Sequence, residues 1–475
     1  MYPRIYDKLH ISSILRVVPM RGVLVIVCAC GASLAYKEYG SIISLAVMGL
    51  WFAWHLFDIS NGNAGFRMLT ITKIWFLTYV PMILVPGIII AWSKEGNARN
   101  EFLYSIISVL YTVPLGAAGI SVALGFRQGE VQRFFKSPMA PVNARGRLLL
   151  VLLVGLVIAI ALSVNYVRDA KSIPLLVLLK YPGEYALLRE MREESFKLLD
   201  SPLRYAYYVL RVCIYPFLVL LSMGWAIMEK RRRIWVLFAL CTLGAVIFGS
   251  LSTAKQPVAE IMLVIMLMII VLYYNRVGIL KLIGGAACVL GFPIMVVMLL
   301  QFGSGNGIVY ALIAIGNRLF YIPSYVLYHY YEVFPGQVGF LYGRTISKLA
   351  GILGEECINA PNIVYQYIYP SRIESGLANA AFMGNAWADF GYLGVIVSGI
   401  LAGAIMQGLQ IMICRSHKTI YDVSAYAFML FGFWLINSTA LPTVLLSNGV
   451  IIVLLLREAL NRMDSTVLQP GSSVE

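Results

Sequence analysis

The sequence predicts an all-α, polytopic membrane protein with about twelve transmembrane helices and one large helical segment outside the bilayer. Three observations predict it. Hydrophobic residues make up 60% of the 475 and charged residues only 13%, against about 25% charged in an ordinary soluble domain. Apolar runs close to the ~20 residues needed to cross a bilayer recur along the chain. Basic residues gather in alternate loops, the pattern that fixes orientation in a membrane.

The apolar runs fall at about 21–36, 41–57, 73–92, 103–125, 147–164, 206–228, 233–249, 257–274, 277–300, 391–412, 421–437 and 441–456. Arg4, Lys8, Arg16 and Arg21 precede the first run, as in a signal peptide. No convincing small-residue cleavage pattern follows and many spans do, so it reads as a retained first span. Arg127, Arg133, Lys136, Arg145 and Arg147 separate spans four and five, and Lys230 to Arg233 separate six and seven. Arg276 and Lys281 follow span eight, Arg415 and Lys418 follow ten, and Arg457 and Arg462 follow twelve. With twelve spans all these loops share one side with the N-terminus, and the positive-inside rule makes that side cytoplasmic. The net charge of +14 is thereby assigned to topology, and no nucleic-acid partner is expected. The chain reads as a single membrane domain, with a disordered Ser-, Pro- and Gly-containing tail at 464–475.

Two segments are then expected outside. In 165–205, residues 185–200 form a mixed-charge helix with Leu188, Met191 and Phe196 free to rest on an apolar surface. It is either a lid on the membrane surface or a contact, through Arg189 and Arg192, for an anionic lipid head or a sugar. The longer segment, 301–390, holds most of the unusual polar residues. An approach through Asn317-Arg318 leads into a helix after Pro323, which Phe334-Pro335 ends. Tyr325, His329 and Glu332 are spaced to share one face of that helix. Its tyrosines suit either sugar stacking or an aromatic belt at the bilayer surface. His329 is either a base or a hydrogen-bonded interfacial histidine. Asn379, Asn385, Trp387 and Asp389 precede the tenth span, and Asp389 is either a site residue or a helix N-cap.

Common catalytic signatures are absent. No P-loop, GxSxG, HExxH or DxD-like pair occurs, which counts against ATP-driven transport and metal-dependent nucleotide-sugar transfer. The four His and seven Cys show neither metal nor redox spacing, and no cofactor is expected. Lys255 stands near the start of the span that Pro257 opens, where unpaired helix N–H groups favour an anion; the alternative is a snorkelling lysine. Glu260 lies inside the same span, and a carboxylate in the membrane is either functional or part of an ion pair. Arg318, Arg344 and Arg372 are the arginines of the long segment, and the planar guanidinium fork suits a diphosphate.

Three stretches carry a resemblance. They are Ser250 to Lys255; Asn317-Arg318 through Pro323, Tyr325, Tyr331 and Phe334-Pro335 to Phe340-Leu341-Tyr342-Gly343-Arg344; and Asn379 through Gly384-Asn385, Trp387 and Asp389 to Gly391 and Gly394. Through these stretches the chain resembles the Wzy-type O-antigen polymerases of the bacterial inner membrane. Lys255 departs from the arginine usual there. The resemblance implies a GT-C-type, metal-independent glycosyltransferase that acts at the periplasmic face. It would move a growing glycan from undecaprenyl diphosphate to an incoming unit on the same lipid. It implies an undecaprenyl-diphosphate-linked oligosaccharide and membrane lipid as partners, and a polysaccharide chain-length regulator as a further one. Arg318, Arg344, Lys255 and Arg372 are then expected to bind diphosphate. Asp389, Glu260 or His329 is expected to accept the hydroxyl proton, and Tyr325, Asn379 and Asn385 to shape the sugar site. An O-antigen ligase shares much of this design, and a lipid-linked oligosaccharide flippase is the reading that involves no enzyme.

Overall fold

The computed structural model describes residues 40–61, 68–127, 129–169, 180, 201–251, 256–273, 307–371 and 376–465. The expected spans at 21–36 and 277–300, the helix around 185–200, Lys255, Arg372 and the tail beyond 465 lie outside the described residues. Among those described, every regular element is a helix. They are α1 (Gly40–Ser60), α2 (Ile71–Tyr79), α3 (Val85–Trp92), α4 (Asn97–Ala123), α5 (Glu130–Lys136), α6 (Arg145–Asp169), α7 (Ser201–Val209), α8 (Tyr215–Glu229) and α9 (Arg232–Ser250). There follow α10 (Gln256–Leu272), α11 (Gly307–Gly316), α12 (Ile322–Val333), α13 (Ser347–Leu353), α14 (Ala360–Ile368), α15 (Met383–Cys414), α16 (Ile420–Leu435) and α17 (Val450–Ser465).

Seven helical stretches are long and apolar enough to cross a membrane, and α10 and α16 are shorter apolar helices. The chain is therefore a multi-pass membrane protein. Burial separates the spans by position. The stretch Tyr205–Glu229 is 83% buried over its most apolar window, whereas Arg145–Arg168 is 22% buried. The first is the centre of a bundle and the second its rim, where Leu150, Val157 and Val164 stand exposed for lipid.

Proline sets the local shape of three helices. Each of Pro86, Pro216 and Pro323 follows a π-helical turn: Val80–Leu84, Leu210–Ile214 and Asn317–Tyr321. A proline inside a helix has no N–H to give, and its ring collides with the carbonyl four residues back. Widening the turn relieves the collision. The N–H groups of Val85, Tyr215 and Ile322 accordingly bond the carbonyls of Val80, Leu210 and Asn317, five residues back. The approach segment through Asn317-Arg318 is thus itself helical and runs from α11 through its π turn into α12. The run at 441–456 is divided as well. A π turn, Thr443–Ser447, and Gly449 at φ +83 separate it from α17.

The tightest crossing is between α4 and α15. A Cβ on Gly116 would meet the carbonyl oxygen of Ile400, and one on Gly403 would meet that of Val113. Glycine at these two places lets the backbones touch. At the α15 end that leads to Cys414, Gln410 ties three elements together. Its Oε1 accepts the N–H of Ile71 at 2.8 Å, and its Nε2 donates to Asn61 Oδ1.

The basic loops meet on one face. Arg415 Nε donates to Glu130 Oε2 at 2.8 Å, and Lys418 Nζ donates to the carbonyls of Phe135 and Ser137 at 3.0 and 2.9 Å. Arg145 reaches Glu229 at 2.7 Å. Arg457 is paired with Asp422 at 2.6 Å, both buried, and Asp422 also closes a capping box with Thr419. Asp464 accepts the N–H groups of Asn143 and Ala144 at the start of α6. The grouping expected from charge alone is therefore a physical contact surface.

Candidate functional site

The opposite ends of these helices carry the candidate site. It is built on α12, which packs against α3, α4, α14 and α15. Ser324 Oγ donates to the carbonyl of Ile83 at 2.9 Å, in the middle of the apolar stretch Ile71–Trp92. Further along α12, Glu332 reaches Lys94, two residues past the end of that stretch, at 3.8 Å. Helix α12 thus runs alongside that stretch, with Ser324 level with its middle and Glu332 level with its end.

One face of α12 is an aromatic ladder at i, i+4 spacing. The rings of Tyr321 and Tyr325 stack with centroids 5.6 Å apart, and Tyr325 meets His329 edge-on at 4.5 Å. Tyr367 from α14 closes over His329 at 5.7 Å. The five tyrosines divide by burial. Tyr328, Tyr330 and Tyr331 are core residues packed under Phe102, Phe334 and Trp387, whereas Tyr321 is exposed and Tyr325 half-buried.

His329 is 6% exposed. Its Nδ1 is 2.6 Å from Glu332 Oε2, and its Nε2 has no hydrogen-bond partner among the described residues. Burial pushes its pKa down, Glu332 pulls it back up, and Lys94 adds to the lowering. At neutral pH the imidazole is therefore neutral. With Nδ1–H donated to a carboxylate, Nε2 presents its lone pair.

Asp389 is engaged differently. It does not cap a helix: α15 begins six residues earlier, at Met383, and includes Asn385, Trp387 and Asp389 in its first turns. Oδ1 accepts the N–H groups of Gly343 and Thr345 at 3.0 and 3.3 Å, and Oδ2 accepts the Thr345 hydroxyl. The backbone joins in, with Leu341 and Tyr342 N–H bonded to the carbonyls of Ala388 and Asp389. The pairing clamps loop 341–345 to α15, just before the kink at Gly391 (φ +57, ψ −139). Arg344 lies beside it. Its Nε donates to the Leu341 carbonyl at 3.1 Å and its NH1 is 3.6 Å from Glu355.

The remaining candidates stand apart. Arg318 is exposed on its π turn, with no hydrogen bond or ion pair among the described residues. Asn379 is exposed, next to Ala378, whose carbonyl accepts from Tyr330 at 3.1 Å; Asn385 is half-buried in α15. Glu260 lies on α10, which packs against α8, α9 and α16. It is 1% exposed, neither oxygen is hydrogen-bonded among the described residues, and it lies within electrostatic range of Arg211 on the π turn of the central span. Tyr208, one turn before Arg211, donates to Asn448 Oδ1 at 3.1 Å. No group of three or more metal-binding side chains occurs among the described residues.

The structure therefore joins Tyr325 to His329, and Arg344 to Asp389. It adds Lys94, Glu332 and Tyr367 around His329. Glu332 was readable from its spacing. Lys94 and Tyr367 come from distant chain segments and carried no signal beyond their residue type. No family model, curated protein or solved structure matches the chain.

Proposed function

We propose that the chain is a metal-independent glycosyltransferase of the bacterial inner membrane that lengthens a lipid-linked glycan. It moves the growing chain from undecaprenyl diphosphate to an incoming lipid-linked repeat unit. In this reading twelve spans place the basic face and both termini in the cytoplasm and the α12 cluster on the periplasmic side. Support comes from the three stretches that resemble Wzy-type polymerases and from the geometry around His329. The observation that carries the reading is a buried imidazole with one nitrogen open, set in an aromatic wall beside a membrane-spanning helix.

The same geometry ranks the three candidate bases. Both oxygens of Asp389 are occupied by loop 341–345, and Glu260 is buried on α10. His329 is the proton acceptor. The acceptor hydroxyl attacks the anomeric carbon, its proton passes to Nε2, and the bond to the diphosphate oxygen breaks with its electron pair. A lipid diphosphate is already a good leaving group, so the protein's task is to stabilise charge and position the partners. Arg318 and Arg344, with Lys255 and Arg372, serve the diphosphate; Tyr325, Asn379 and Asn385 serve the sugars. A polysaccharide chain-length regulator is the expected protein partner.

The test is glycan length on cells whose chromosomal copy is replaced by His329→Ala, Arg318→Ala or Arg344→Ala, each shown to be inserted. Surface lipid carrying a single repeat is expected. Full-length polymer in all three would overturn the reading, and surface lipid with no repeat at all would indicate a ligase. A flippase draws on one observation, the buried Glu260 beside Arg211, because ionisable groups inside spans mark transport pathways. It predicts no bond formation by the purified protein.

A further inference from the structure

We infer that Glu332 and Lys94 are a positioning pair that holds the His329 ring with its proton on Nδ1, so that Nε2 faces the acceptor hydroxyl. The inference rests on His329 being the proton acceptor. Four observations carry it. The Nδ1 to Glu332 Oε2 distance is 2.6 Å, short for a nitrogen donor and typical of a charge-assisted bond. The other carboxylate oxygen, Oε1, faces Lys94 Nζ at 3.8 Å. Lys94 is itself held over the Tyr328 ring, 5.5 Å from its centroid. Among the described residues Nε2 is left without a partner, in a side chain that is 8% exposed.

The last point decides between a structural and a working histidine. A buried polar nitrogen without a partner is costly to the fold. The chain bonds one ring nitrogen tightly and leaves the other open, and the open one is where an acceptor hydroxyl would restore the missing bond. Each partner also has a distinct electrostatic effect. Glu332 favours the imidazolium formed when the hydroxyl proton arrives, and Lys94 opposes it. The other titratable groups facing the ring are Tyr325 and Tyr328 from α12 and Tyr367 from α14. Tyr328 and Tyr367 also turn their hydroxyls toward Glu332, and Arg99 of α4 acts on Tyr328. Neither Glu332 nor Lys94 touches the reacting atoms; both act through the ring. After transfer the imidazolium gives its proton to water and the neutral tautomer returns.

The experiment uses full-length protein labelled with ¹⁵N-histidine in lipid nanodiscs. The chain has four histidines, so the His329 signal is assigned by its loss in His329→Gln. The wild-type ring is expected as the neutral form protonated on Nδ1. Glu332→Leu should move the proton toward Nε2. In turnover assays with lipid-linked repeat unit, Glu332→Gln should lower kcat with KM little changed, by at least about tenfold and at most the 10²–10⁴-fold typical of a whole general base. The rising limb of kcat against pH should move to lower pH in Glu332→Gln and to higher pH in Lys94→Met. A residue that only supports the fold would not shift that limb in opposite directions. An unchanged tautomer in Glu332→Leu, or both limbs staying in place while His329→Gln is inactive, overturns the positioning pair and leaves the base intact. Wild-type turnover in His329→Gln overturns the base and the pair with it.

Discussion

The two ends of this helical bundle handle buried polar groups in opposite ways. On the basic face, Asp422 accepts from Arg457 and from Asn461 and caps α16 through Thr419. Lys418 donates to two carbonyls, and Asp464 accepts two N–H groups. These side chains close loops onto helices. At the other end, His329 is bonded on one side only, by Glu332 at Nδ1, and its other ring nitrogen has no partner among the described residues. Asp389 is the instructive middle case. It lies at the functional end, yet it is engaged like Asp422, with both oxygens occupied. Charge near a membrane surface does not separate support from chemistry; the state of the last lone pair does.

That comparison can be broken or sharpened by substitution. The largest effect on stability should come from Arg457→Leu, which leaves Asp422 buried and uncompensated. A loss of about 3–5 kcal/mol is expected, read as a lower unfolding midpoint in detergent. His329→Leu should leave that midpoint nearly unchanged while abolishing turnover. If the two variants exchange behaviours, the assignment of the two ends is reversed.

Asp389→Ala should come next. It strips the N–H groups of Gly343 and Thr345 and the Thr345 hydroxyl of their acceptor, at about 1–3 kcal/mol for each group left buried. Proteolysis should then open loop 341–345, with activity and stability falling together. A variant of Asp389 that lost activity at full stability would return it to the list of bases.

The smallest effect is a pH dependence on the basic face. Burial lowers the Lys418 pKa to about 8, below the ~10.4 of an exposed lysine. Between those values the unfolded chain binds more protons, so stability should rise as pH increases from about 8 toward ~10.4. One proton allows at most about 1.4 kcal/mol per pH unit. Lys418→Met should flatten this part of the melting curve against pH.

Sequence alone located the apolar helices because transfer free energy is read locally, one window at a time. It also located the turn of α12 that carries Tyr325, His329 and Glu332, because helical spacing is a short-range rule. The π turns before Pro86, Pro216 and Pro323 were not read from the sequence, because the widening depends on the carbonyl that each proline ring meets. The engagement of Asp389 was not legible, since its partners lie some 44–46 residues away in a loop whose docking is a tertiary event. For the same reason Lys94 and Tyr367 could not be placed beside His329, nor Arg211 beside Glu260. Among the described residues no hydrogen bond or ring contact ties Asn379 or Asn385 to His329.

The most direct measurement is turnover of purified, full-length protein in detergent with a lipid-linked repeat unit, wild type against His329→Gln. With no second compartment present, only bond formation can produce a longer glycan. The account predicts elongation by the wild-type protein and a loss of about 10²–10⁴-fold in the variant at an unchanged unfolding midpoint. Elongation by the variant at the wild-type rate would contradict it.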